Sequence, residues 1–404
     1  MFDGPVEYRF ADCVLDCARH RLFRAGREVH VEPQVFALLA LLARRAGEVV
    51  PRDEIVQAVW GGRIVSEATI SARISAARAA VGDDGRQQRV IRTVTRVGLQ
   101  LVAETSCNGA SPQDGPPPGV PNGAAPDIRI AQSADGTGIA WEVTGAGPPL
   151  LRAGHWLSHL ELDWRSPVWR PLLDRLARRH RLACYDQRGT GLSEWACGPL
   201  TLDAFVDDMA AVADAAGLDR FAIHAVSQSV PVAIAFAVRH PERVSRMVLI
   251  SGFVQGSVVR DRAEGQQITE TFLKLIEGGW GQPGSAFIRA FTTLFMPDGT
   301  PEQIESFTRM QLESATPARA VELRRAIGKF DIGDLLGQVR CPVLVGHGHG
   351  DSVQPFAQGQ SLARGLPDAR FMAFDSRNHI ALPQDPEWDR MLAAAEAFLA
   401  RAAD

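Results

Sequence analysis

The 404-residue chain has no run of 18 or more apolar residues, so it offers no segment of the length a membrane-spanning helix needs, and no membrane partner is expected. Its opening, MFDGPVEYRF, lacks the basic and apolar regions of a secretory signal. Cys13, Cys17, Cys107, Cys184, Cys197 and Cys341 include no C-x-x-C pair and no disulfide-like spacing. A reducing, cytoplasmic setting is the expectation, with no metal and no cofactor. Net charge is small, −4, and it is unevenly spread: residues 1–104 carry +2 and residues 127–404 carry −5. What is present is a composition 46% apolar and 22% charged, which suits a protein with a large buried core. The length predicts two or three domains.

Residues 105–126, TSCNGASPQDGPPPGVPNGAAP, are rich in Pro, Gly, Ser and Asn and have no apolar period, which predicts a flexible linker. It would separate a domain at 1–104 from one at 127–404. The first block reads as short alternating strands, then three helices, then a hairpin. Phe36, Leu38, Leu39 and Leu42 make one helical face, ended by Gly47. In SEATISARISAARAAVG, Ile70, Ile74, Ala77 and Val81 form a narrow buried stripe. VIRTVTRVGLQLVAE reads as two strands about a turn at Arg96–Gly98.

The stretches LFRAGREVHVEPQVFALLALLARRAGEVVPRDEIVQAVW, VSEATISARISAARAAVGDD and IRTVTRVGLQLV resemble the winged helix-turn-helix DNA-binding domain of response-regulator effectors. The resemblance implies double-stranded DNA as a partner. It implies a recognition helix at about Glu67–Val81, with Thr69, Ser71, Ala72, Arg73 and Arg78 toward DNA, and wing cations at Arg92 and Arg96. A face of Ala and Ser permits close approach but offers few bidentate base readers, so Arg73 and Arg78 are expected on phosphates. The wing departs from the family: Arg96 stands at a usual glycine, and Leu99 and Gln100 replace aromatic and basic residues. Binding to paired half-sites would imply a homodimer.

Residues 127–404 open with the alternating run DIRIAQSADGTGIAWEVTG, an expected antiparallel edge hairpin. Apolar strands PLLRAG, RLACYD, FAIHAV, RMVLISG, CPVLVGHG and ARFMAFD then alternate with helices, which predicts a mostly parallel sheet. Ligand sites in such sheets sit at the carboxyl ends of strands. There the chain places Ser227, Asp351 and His379, each after a different strand. The turn Asp186-Gln187-Arg188-Gly189-Thr190-Gly191-Leu192-Ser193 follows another.

This order, that D-x-R-G-x-G-x-S turn, and stretches such as RAGHWLSHLELDWRSPVWRPLLDRL and SQSVPVAIAFAVRHPERV resemble an α/β-hydrolase subfamily found fused to bacterial regulatory modules. The fold expected is therefore α/β, an N-terminal winged helix plus a C-terminal α/β-hydrolase fold with a helical cap at about 253–338. The resemblance implies a catalytic triad of Ser227, Asp351 and His379. It implies an oxyanion hole at the backbone N–H groups of Trp156 and Gln228. His155, Trp156, Phe253, Trp280, Phe295 and Met310 are candidates to line a pocket for a small, largely apolar ligand. One departure is marked. The nucleophile motif G-x-S-x-G reads Ala225-Val226-Ser227-Gln228-Ser229, with both glycines gone.

Two readings stay open. The chain is a one-component transcriptional regulator whose hydrolase-fold domain senses, and slowly hydrolyses or merely binds, a small ligand. Alternatively it is a serine esterase or lactonase with an accessory DNA-binding domain. The altered elbow favours the first, since a receptor needs the pocket more than turnover.

Overall fold

The computed structural model describes residues 7–17, 19–60, 67–94, 97–103, 105–108, 127–260, 264–280 and 285–401. The chain divides into two units, Met1–Gly115 and Pro116–Asp404.

In the first unit an antiparallel sheet runs in the order Arg27–Val29, Arg21–Arg24, Cys13–Asp16, Glu7–Phe10, Thr105–Asn108. The last strand consists of four residues that the sequence reading gave to the linker; it pairs Thr105 with Phe10 and Asn108 with Glu7. Helices Pro33–Arg44, Arg52–Trp60 and Glu67–Ala80 follow the first four strands. Pro33 sits in the first turn of the first helix, where its missing N–H costs nothing. Phe36, Leu39 and Leu42 bury against Phe10, Leu15 and Leu22 in one core. A second, three-stranded sheet joins Val49–Pro51 to the hairpin Ile91–Val94 and Gly98–Leu101. A Cβ on Gly98 would lie 1.9 Å from the Val50 carbonyl oxygen, so only glycine admits this strand pairing.

In the second unit eight strands form one sheet. Their order is Ala369–Phe374, Val343–Gly348, Val244–Ile250, Phe221–Val226, Pro149–Arg152, Arg181–Tyr185, Gly138–Thr144, Arg129–Gln132. The last two strands form an antiparallel edge hairpin, and Gly138–Thr144 also pairs antiparallel with Arg181–Tyr185; every other pairing is parallel. Phe221–Val226 and Val343–Gly348 are buried along their whole length, as expected where helices cover both faces.

Between Ile250 and Val343 the chain leaves the sheet. It forms helices Ser257–Arg260, Glu264–Gly279, Ala286–Phe295, Pro301–Ser314 and Pro317–Ile327, then a 3-10 turn at Gly333–Gln338. Thr300 and Gln303 make a reciprocal capping box, and Thr316 accepts the Arg319 N–H, so two of these helices start on satisfied N-termini. Phe291, Phe295, Phe307 and Met310 pack this cap into the same core as the sheet.

Candidate functional site

The strand Phe221–Val226 ends in a sharp turn, and the helix Ser229–Arg239 begins two residues later. Ser227 holds the turn at φ 58°, a left-handed conformation that costs a non-glycine residue about 1–3 kcal/mol. Its Oγ lies 2.7 Å from Nε2 of His379. Nδ1 of His379 lies 2.9 Å from each oxygen of Asp351. A carboxylate can only accept, so Nδ1 bears the proton and Nε2 is left to accept from the serine hydroxyl.

Asp351 is fixed in turn by the N–H groups of Val353 and Gln354, each 2.9 Å from Oδ1. Burial acts to raise its pKa, but His379 and these two amides outweigh burial and hold the carboxyl below its usual range. His347, buried behind it, is pushed down by desolvation and donates from Nε2 to the Gln354 carbonyl at 3.1 Å.

The two missing glycines are accommodated differently. Ala225 is fully buried, its methyl group taken into the core. Ser229 also contributes hydrogen bonds. Its Oγ accepts the Val226 N–H at 2.9 Å and donates to the Val226 carbonyl at 2.8 Å, closing the turn on either side of Ser227.

Trp156 and Gln228 line the same cavity as Ser227, and among the described residues neither backbone amide donates to a protein acceptor. Trp156 precedes Leu157, whose φ of 48° bends the loop. The Trp156 indole N–H donates to Gln311 of the cap at 3.2 Å, and the Gln228 side chain donates to Gln187 at 2.7 Å.

The D-x-R-G-x-G-x-S turn is structural scaffolding. Arg188 is fully buried and bridges Asp208 at 2.6 Å and Asp135 at 2.7 Å, while Ser193 donates to the Asp186 carbonyl. Asp186 itself, pushed by burial up to about 7, accepts the Leu160 and Leu192 amides.

A small cavity of about 80 Å³ lies above Ser227. Trp156, Phe253 and Phe295 line it, as anticipated. His155, Trp280 and Met310 do not. His155 is buried against Trp169 at 4.3 Å, with Nε2 2.8 Å from Asp163 and Nδ1 3.0 Å from the Trp156 carbonyl. It shapes the loop from behind rather than meeting a ligand. Trp280 donates to the Ala315 carbonyl at 3.0 Å and packs on Phe291, and Met310 is 1% exposed inside the cap. Phe291, Phe272, Leu294, Arg324, Ile327, Ser352, Val353 and Gln354 also line it, and of these the sequence reading had marked only Phe291, as one of the apolar cap residues. The helical spacing of Phe291, Leu294 and Phe295 carried a signal for one face; Arg324 carried none.

In the first unit Ser71, Ala72, Ser75 and Ala79 are exposed along the third helix, and Thr69 is half-buried. Arg92 is exposed on the hairpin. Arg96 lies outside the described residues. Arg73 is held by Glu32 at 2.7 Å and Gln34 at 3.0 Å. Arg78 departs from its expected phosphate role: it is 8% exposed and donates to the Ile91 carbonyl and to Thr93 Oγ1 at 2.8 Å. It fastens the helix Glu67–Ala80 to the hairpin, because its buried guanidinium finds acceptors on the strand Ile91–Val94. Among the described residues no cluster of His, Cys, Asp and Glu could hold a metal, and no helix is long and apolar enough to cross a membrane.

These features define two joined classes: a winged-helix domain of the DNA-binding regulator type and a Ser-His-Asp site on an α/β-hydrolase sheet. Residues 26–101 match the C-terminal domain of transcriptional regulatory proteins. Residues 161–386 match the α/β hydrolase fold, and the chain belongs to that family. RutD of Azorhizobium caulinodans is 30% identical over 251 residues, spanning 60% of this chain and 88% of RutD. The pimeloyl-[acyl-carrier protein] methyl ester esterase of Nitrosomonas europaea is 26% identical over 265 residues, 61% of this chain and 94% of that enzyme. A thermophilic esterase from Thermogutta terrifontis superposes with a TM-score of 0.55 at 23% identity, covering 68% of this chain and 98% of its own. The enol-lactonase of Burkholderia xenovorans does so with 0.54 at 21%, covering 68% and 100%. Both share the fold.

Proposed function

We propose that this chain is a one-component transcriptional regulator whose hydrolase-fold domain binds a small, largely apolar ester or lactone and can hydrolyse it. The observation that carries the chemistry is the 2.7 Å contact between Ser227 Oγ and His379 Nε2 beneath an aromatic cavity.

In this reading Ser227 Oγ attacks the carbonyl carbon, and its proton passes to His379 Nε2. Asp351 stabilises the imidazolium through Nδ1–H. The carbonyl oxygen becomes an oxyanion held by the Trp156 and Gln228 amides. Collapse breaks the bond to the leaving alcohol, which takes the proton from His379. Water then adds to the acyl group by the same route, with His379 accepting its proton, and Ser227 is released with a carboxylic acid product. The exposed, small-residue face of the helix Glu67–Ala80 would enter the major groove, with Arg92 on the phosphates. Two copies on paired half-sites would make the active form.

An intact triad also favours a second reading, an esterase with an accessory DNA-binding domain. The full-length Ser227→Ala protein separates them. It should lose ester hydrolysis while keeping ligand-dependent DNA binding if occupancy is the signal. Loss of the DNA response together with hydrolysis would make chemistry the signal. A wild-type protein with no effect of any ligand on DNA binding would remove the sensor reading.

A further inference from the structure

The cavity above Ser227 is walled mainly by aromatic and aliphatic groups, Phe253, Phe272, Phe291 and Phe295 among them. Among the described residues one charged side chain opens onto it: Arg324, in the last turn of the cap helix Pro317–Ile327. No aspartate or glutamate stands among the described residues that line it.

The other arginines of that helix differ from Arg324. Arg319 pairs with Glu322 at 2.8 Å, and Arg325 lies 4.0 Å from Glu277. Arg324 is half-buried and touches the face of Phe272, 5.8 Å from the ring centroid. Among the described residues its guanidinium has no hydrogen-bond acceptor and no counter-ion. Its charged neighbour Arg260, which donates to Gln354 Oε1 at 3.3 Å, bears on it as a like charge.

A helix C-terminus favours a cation, and that alone would account for a solvated arginine there. This one is not solvated in the ordinary way. Desolvation, with Arg260 adding to it, pushes its pKa down to about 10, so it stays charged at neutral pH, and among the described residues it lacks the partner that a desolvated charge normally has. Five N–H donors in a planar fork facing an apolar cavity match a planar monoanion with two acceptor oxygens. A phosphate monoester would bring a second negative charge, and among the described residues that line the cavity Arg324 has no second cation beside it to meet that charge.

We propose that Arg324 anchors a carboxylate carried by the ligand, so that the site takes esters or lactones bearing a free carboxylate remote from the acyl carbon that Ser227 attacks. This rests on the hydrolase-fold domain being the ligand-binding half, as proposed above. The aromatic walls would hold the body between the two ends, and Phe272 would keep the guanidinium plane in place.

The test uses the full chain and two readouts. In the first, the Ser227→Ala protein is titrated with phenylacetate and phenylpropionate and with their neutral isosteres, phenylacetamide and phenylpropionamide, and thermal stabilisation is followed. The acids should bind more tightly than the amides. Adding Arg324→Met should cut that preference roughly 10- to 150-fold, the range for one hydrogen bond to a charged group. Arg324→Lys should restore part of it, which also guards against a folding defect in the methionine variant. In the second readout, kcat/KM for the p-nitrophenyl monoester of glutaric acid is compared with that for p-nitrophenyl valerate, and the ratio should fall in Arg324→Met. Equal binding of acids and amides, no stabilisation by any acid of the series, or an acid preference that survives Arg324→Met would overturn the anchor. Acid preference without turnover would instead sink the hydrolytic reading and leave the anchor standing.

Discussion

The hydroxyl of Ser229 closes a two-bond clasp on Val226, accepting its N–H at 2.9 Å and donating to its carbonyl at 2.8 Å, across the nucleophile that lies between them. The residue that replaces the second motif glycine thus supports the strained turn instead of only crowding it. Reverting it should therefore harm the site. Ser229→Gly removes the partner of a buried amide and should cost about 1–3 kcal/mol in denaturant unfolding. Ester hydrolysis should fall along with stability. A rise in kcat with unchanged stability would show that the clasp is dispensable and that Ser229 limits the reaction.

Ser227→Ala and His379→Asn should each lower kcat for any hydrolysed ester by at least ~10³-fold, and the double variant should be no worse than the singles, since the residues act as one unit. Asp351→Asn should cost about 10⁴-fold by favouring the wrong imidazole tautomer. Steady-state kinetics on the purified full-length variants checks this. Additive losses would mean that the three groups do not share one proton path.

Stability should decline below pH 6.5 through His224. This residue lies on the nucleophile strand, fully buried, and burial, with Arg152 and then His180 adding to it, lowers its pKa from 6.5 to about 3. The unfolded chain takes a proton first as pH falls, so the stability is fully present above 6.5 and is lost progressively toward 3. At pH 5 the loss from this residue should be about 2 kcal/mol relative to pH 7.5. Urea unfolding of wild type and His224→Leu at both pH values measures it; an identical pH difference in the two proteins would contradict the assignment.

On the first unit, Arg92→Ala should weaken binding to all duplex sequences and reduce the salt slope by ~1, as expected for one phosphate contact. Arg78→Ala should behave differently. It unpairs the Ile91 carbonyl and should lower stability by about 1–3 kcal/mol, so its effect on DNA binding should shrink on cooling. Gel retardation across a salt series, paired with thermal melts, distinguishes the two. A loss of affinity by Arg78→Ala with no change in melting would return that arginine to the DNA surface.

That Ser227, Asp351 and His379 would meet was legible in the sequence, because each follows a different apolar strand and the family resemblance sets the order of those strands in the sheet. The cap was legible as a long insertion after RMVLISG. Which residues face the cavity was not. Trp280 and Phe291 are both large and aromatic, and only the packing of their helices decides that Phe291 lines the wall while Trp280 spends its N–H on Ala315. Arg324 and Arg325 are adjacent and identical, yet one reaches the cavity and the other solvent, a difference set by helix rotation. The edge strand Thr105–Asn108 was hidden because its partner Glu7–Phe10 lies at the far end of the domain sequence. Arg78 was misplaced because its stem can bury while its head finds backbone acceptors.

The Phe295 carbonyl, at the end of a cap helix, accepts the amides of both His379 and Ile380, at 3.0 and 3.1 Å. Asn378 and Arg377 of the same loop hold Asp298, just beyond. The cap is thus hinged on the very segment that carries the base. A molecule in the cavity that displaced the end of that helix would strain both bonds, and by reciprocity a change in how the histidine is held would then alter how tightly that molecule binds. If the site binds and turns over a ligand, as proposed above, occupancy and reactivity would then share one linkage, the two amides held by the Phe295 carbonyl.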